Sequence, residues 1–142
     1  METLEIVISV AIVLLVLFLM IMGFFMTRSP KRKSWNKEVL SKLHELTILS
    51  SNDDPIFIKN AIIEADKLLD YALDKNLVQG ETLGEKLSKA HNLFTHTENL
   101  ERVWNGHKVR NSLAHDLNFR ADTKQLRIAF SDLAAGIKDL ST

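Results

Sequence analysis

Apolar residues recur along this chain in two ways: as one unbroken block near its start, and as helix-spaced stripes after residue 34. From Ile6 to Met26 there are 21 residues without a charge, interrupted only by Ser9 and Gly23, and a membrane-spanning helix needs about 20. The block predicts a transmembrane helix ended by Pro30. Beyond it, Ser34 can cap a helix to about Leu49 that brings Trp35, Val39, Leu40, Leu43 and Leu46 near one face. Residues 50–54, Ser-Ser-Asn-Asp-Asp, read as a turn. Asp54 as N-cap and Pro55 at the first helical position then open a second helix. Its stripe of Ile58, Ala61, Ile62, Ala65, Leu68, Leu69, Ala72 and Leu73 is the strongest periodicity in the sequence. Gln79-Gly80 closes that connection. Thr82 and Glu85 have the form of a capping box for a short helix with Leu87, Ala90 and Phe94. A fourth helix carries Leu100, Val103 and Trp104 and stops near Asp116. Asp122 and Gln125 can cap a last one with Leu126, Phe130, Leu133, Ile137 and Leu140. No alternating run demands a strand, so the expected class is all-α: a single transmembrane helix, then an antiparallel four-helix bundle with one additional short helix.

Charge adds an orientation to this picture. Glu2 and Glu5 precede the apolar block, whereas Arg28, Lys31, Arg32, Lys33 and Lys37 follow it with no acid among residues 28–37. By the positive-inside rule this predicts a single-pass protein of the cell membrane, N-terminus outside and C-terminal domain cytoplasmic. A cleavable signal peptide fits less well, because acids rather than bases precede the block and no small-x-small site follows it. The expected organisation is a transmembrane anchor over 1–27, a basic juxtamembrane linker over 28–35 and a helical bundle over 36–142. Membrane lipid is then a partner through residues 6–26. From 38 to 142 the chain holds 13 basic and 16 acidic residues, so a broad basic nucleic-acid surface is absent. Zero cysteines exclude disulfides, thiolate metal sites and cysteine nucleophiles.

Candidate chemistry concentrates in Val109-Arg110-Asn111-Ser112-Leu113-Ala114-His115-Asp116. Arginine is permanently charged and forks two donors onto a phosphate, and histidine exchanges a proton near neutral pH, so the pair suits an anionic substrate. On a helix, His107, Asn111 and His115 share one polar stripe while Val109 and Leu113 point elsewhere. Arg110 and Asn111, followed after three residues by His115, resemble the motif of the HEPN superfamily of small all-helical domains. The likeness covers roughly residues 36 to 140. It implies a four-helix bundle with the Arg-His motif near the end of a late helix, and metal-independent endoribonuclease activity as a homodimer. In that reading Arg110, Asn111 and His115 are the catalytic residues and His107 and Lys108 bind substrate. RNA and a second copy are the partners, with no metal and no small-molecule cofactor. Many HEPN-like domains serve instead as non-catalytic binding or dimerisation modules, and the resemblance leaves that alternative open.

Other readings of the same residues have less behind them. His107 and His115 lie about 12 Å apart along a helix axis, too far to ligate one ion from one helix. Ser112 sits on no nucleophile elbow, and the five glycines never form a phosphate cradle. Arg110 can pair with Asp70, Asp74 or Asp116, and a histidine at a helix C-terminus interacts favourably with the helix dipole without any catalysis. Trp104 reads as core, and His44, His91 and His96 as solvated surface.

Overall fold

A computed structural model describes residues 2–26 and 34–142. The elements are α1 (Glu2–Met26), α2 (Asn36–Ser50), α3 (Pro55–Lys75), α4 (Leu83–Lys89), a 3-10 turn (His91–Leu93), α5 (Thr97–His115) and α6 (Thr123–Leu140), with no strand among the described residues. The chain divides into two compact units, Met1–Arg32 and Lys33–Thr142.

In the first unit, the described apolar side chains of α1 are all exposed. Among the described residues no helix is long and apolar enough to cross a membrane. This corrects the expectation of a transmembrane anchor over 1–27, and with it the expected single-pass fold and cell-membrane location. The side chains of Ser9 and of residues 23–26 in the expected span lie outside the described residues. So do Arg28, Pro30, Lys31, Arg32 and Lys33, on which the expected orientation and linker rested.

The second unit is built on α3. Seven of its eight predicted stripe residues are buried, Ile58, Ala61, Ile62, Ala65, Leu69, Ala72 and Leu73, and Leu68 packs at the edge. Asp54 caps this helix by accepting the Ile56 N–H at 2.9 Å, with Pro55 following. α2, α5 and α6 pack around α3, and α4 leans on its C-terminal half. α6 begins with a complete capping box in which Asp122 accepts the Gln125 N–H and Gln125 accepts the Asp122 N–H. At α4 the box is redirected: Thr82 accepts the Glu85 N–H, but Glu85 Oε2 accepts the N–H of Glu81 rather than that of Thr82. Ser34 does not cap α2, because that helix takes Trp35 as its N-cap in an α-region conformation.

Long-range polar ties hold helix ends together. Arg127 of α6 donates to the Ser50 and Asn52 carbonyls at 3.1 and 3.0 Å, satisfying acceptors that the end of α2 leaves open. Asp139, near the end of α6, accepts from the Thr95 N–H and hydroxyl and from Asn99 Nδ2. Burial pushes the Asp139 carboxyl up, but these hydrogen bonds outweigh it and hold the group below the usual carboxylate value.

α5 and α6 approach closely because two glycines leave room. A Cβ on Gly106 would stand 2.7 Å from Leu133 Cγ and 2.8 Å from the Ala129 carbonyl oxygen, and one on Gly136 would collide with Val103 Cγ2. Gly106→Ala should therefore destabilise the bundle by roughly 1–3 kcal/mol through overpacking, outrunning the gain of about 1 kcal/mol in helix propensity. Gly84→Ala is the control, since its new Cβ meets Trp104 at an ordinary 3.7 Å. Denaturant midpoints of the two variants decide it.

α3 ends in a Schellman arrangement, with Val78 N–H on the Leu73 carbonyl and Leu77 N–H on that of Asp74. The left-handed position falls on Leu77, at φ 62° and 88% exposed. Since a left-handed L-residue costs about 1–2 kcal/mol and this side chain buries almost nothing, Leu77→Gly should raise stability by roughly 0.5–1 kcal/mol after the entropy cost of glycine. A thermal midpoint that falls on this substitution would contradict the account.

Candidate active site

α5 serves two neighbours with two faces. Val103 and Gly106 face α6, while His107 turns toward α3. There it meets Asp66, an acid on the buried side of α3, 5% exposed and four residues after Ile62. An unpaired carboxylate in such a place would be costly, so its two oxygens have to be engaged. Oδ1 accepts from His107 Nδ1 at 2.8 Å, and Oδ2 lies 3.2 Å from Arg110 Nε. That second contact is an ion pair rather than an aligned hydrogen bond, since the buried Nε has no hydrogen-bond partner of good geometry.

Two further bonds close a ring. Arg110 Nη1 donates to Asn111 Oδ1 at 3.2 Å, and Asn111 Nδ2 lies 3.1 Å from His107 Nε2. The protonation pattern follows from the donors. Arginine has no acceptor, so the atom it touches is the amide oxygen, and the amide NH2 faces the imidazole. His107 Nε2 must then accept, leaving the proton on Nδ1 for Asp66. Asp66, His107, Asn111 and Arg110 thus specify one another.

The ring forms one wall of an open cleft of about 650 Å³. Trp104 and Lys108 line it from α5, Asp70 from α3, and Thr82 and Gly84 from the start of α4. Trp104 is half-buried, packs against the core and meets the His107 ring edge-on at 6.1 Å between centroids. It is thus both core and cleft wall. Lys108 is exposed at the rim.

Of the residues singled out in the sequence, the structure brings Arg110, Asn111, His107 and Lys108 to this cleft and leaves His115 out of its lining. His115 is the exposed last residue of α5, and among the described residues no hydrogen bond or ion pair engages its side chain. His107 is 9% exposed, with both ring nitrogens committed inside the protein. Arg110 pairs with Asp66 rather than with Asp70, Asp74 or Asp116. Asp70 and Asp74 are instead held by Lys86, at 2.8 and 2.6 Å. Asp66 and Lys86 escaped the sequence reading. The signal for Asp66 was an acid inside the apolar stripe of α3, and Lys86 had none beyond its place after a cap. His44, His91 and His96 are exposed.

No family model, curated protein or solved structure matches this chain.

Burial pulls the Lys86 ammonium down, but its close pairing with the Asp70 and Asp74 carboxylates outweighs this and holds it above the ordinary lysine value. A raised folded value means that the stabilisation is fully present below pH 10.5, the group's ordinary value, and is lost as pH rises through the folded one. Denaturant midpoints at pH 8 and pH ~11.5 should fall further apart for the parent than for Lys86→Met. Equal drops in the two proteins would show that the triad contributes no pH-linked stability.

Proposed function

We propose that the bundle is a metal-independent endoribonuclease that works as a homodimer, with the Arg110–His115 stretches of two copies forming one site. The observation that carries this reading is the division of labour along one face of α5. Arg110 and Asn111 are locked in orientation at a cleft, and His115, one turn beyond Asn111, stands exposed and uncommitted. A single copy offers one such histidine. Two copies supply both a base and an acid.

In the reaction, the ribose 2'-hydroxyl attacks the adjacent phosphorus and the bond to the 5'-oxygen of the next nucleotide breaks. One His115 takes the 2'-hydroxyl proton and the other gives a proton to the leaving oxygen, producing a 2',3'-cyclic phosphate and a 5'-hydroxyl. Arg110 stabilises the charge that builds on the phosphate oxygens, and the Nδ2 hydrogen of Asn111 that does not face His107 donates to them. No redox partner is needed.

The alternative is a non-catalytic binding or dimerisation module. Its specific support is the pairing of Arg110 with buried Asp66, which sets a carboxylate against the cation meant for phosphate. Incubation of the purified chain with mixed RNAs in chelator separates the two. For the enzyme, cleavage persists in chelator, leaves cyclic phosphate ends and falls by about a hundred- to ten-thousand-fold in His115→Ala. Arg110→Lys does not restore the parental rate, since a point charge lacks the guanidinium fork. Light scattering should find a dimer. Parent and variants that fold alike and leave the RNA intact would establish the module instead, and activity that needs an added divalent metal would contradict both.

A further inference from the structure

We infer that Asp66 and His107 are positioning residues, which bind no substrate themselves but hold Asn111 and Arg110 in the single orientation that presents the guanidinium to a phosphodiester in the cleft. The inference rests on the ribonuclease reading above and extends it to two residues outside the Arg-His motif.

Asp66 sets its two oxygens against two groups of α5, one hydrogen-bonded to His107 Nδ1 and the other ion-paired with Arg110 Nε. Holding Nε from behind leaves the Nη edge of the guanidinium as the part directed away from the carboxylate. Nη1 is then fixed by Asn111 Oδ1, and the Asn111 amide cannot turn over, because its NH2 group is already donating to His107 Nε2. Reversing the amide would set its NH2 against the Nη1 donor and its oxygen against the acceptor nitrogen of the imidazole. Each side chain therefore blocks the alternative state of the next. Such pre-set donors need no reorganisation when charge develops on a phosphate. His107 fits this role better than that of a proton shuttle. It is 9% exposed and both its nitrogens are occupied by groups of the protein.

Substitution at His107 separates positioning from packing. Glutamine can reproduce the ring's two functions, with an amide N–H for Asp66 and an oxygen to accept from Asn111 Nδ2. Leucine fills the volume but supplies neither. A site that merely fills space at the core's edge would accept leucine at least as well as glutamine. The full chain is titrated with a 2'-O-methyl oligoribonucleotide, which presents phosphodiesters but cannot be cleaved, and cleavage of the unmodified RNA is followed in parallel. His107→Gln is expected to stay near the parent in both. His107→Leu and Asp66→Asn are expected to weaken binding and slow cleavage by about tenfold, the scale of one lost charge-assisted bond, with melting curves reporting whether each variant is folded. The nitrogen-15 spectrum of His107 should show one tautomer, protonated on Nδ1. Equal binding by the Gln and Leu variants, or a His107 protonated on Nε2, overturns the inference. Should Asp66→Asn fail to fold, the Gln and Leu pair decides. If the parent binds the probe with the expected ranking of variants but cleaves nothing, the ribonuclease reading fails while the positioning of Arg110 stands. If the parent binds no probe, the inference is overturned, whatever the His107 tautomer.

Discussion

A carboxylate buried among the aliphatic residues of α3 has to be matched by donors from elsewhere, and Asp66 imposes that condition on the whole cleft side of the bundle. Its two oxygens draw His107 and Arg110 inward from α5, which helps to fix the rotation of that helix about its axis. With α5 so rotated, Val103 and Gly106 must face α6, and Val109 and Leu113 fall against the rest of the core. The same rotation carries Asn111 and Lys108 to the cleft and leaves His115 to solvent.

A second condition comes from the α5–α6 contact. Leu133 occupies the space over Gly106, and Val103 that over Gly136, so each helix offers the other one knob and one gap. Rotating α5 to satisfy some other partner of Asp66 would move Gly106 away from Leu133 and set a larger side chain there. Polar matching on one face and steric matching on the other thus require the same geometry. Agreement of this kind between independent requirements is what gives a sequence one folded state rather than several. Lys86 applies a third tie, pinning α4 to Asp70 and Asp74 so that the cleft has a second wall.

Much of this is legible in the sequence alone. The α3 stripe, the Asp54–Pro55 start and the Asp122–Gln125 box are local signals whose physics acts over three or four residues, and all three hold. What failed was long-range or non-repeating. Spacing cannot distinguish Asp66 from a solvated acid, because the partners that make its burial tolerable lie 41 and 44 residues away. The same holds for Lys86, which looks like one more surface lysine until two acids of another helix enclose it. Ser34 is a good cap by type, yet the helix starts from Trp35. The expected membrane anchor was drawn from the apolar block, and among the described residues no helix satisfies that demand. As for the candidate site, residue types drew attention to Arg110 and Asn111, which line the cleft, but which histidine faces inward is decided by an acid on α3.

The placement of α6 bears on how the bundle is made. This helix follows the other four in sequence, yet it covers both α3 and α5 and its Arg127 closes the end of α2. While residues 36–115 emerge during synthesis, the faces of α3 and α5 that α6 will cover, Val103 among them, remain wet. Contacts spanning so much sequence form slowly, because loop entropy is lost before the contacts return anything. The half-made domain therefore carries an open apolar trough until residues 123–140 have cleared the ribosome, and it is in that interval that the chain is most exposed to aggregation and most in need of a chaperone.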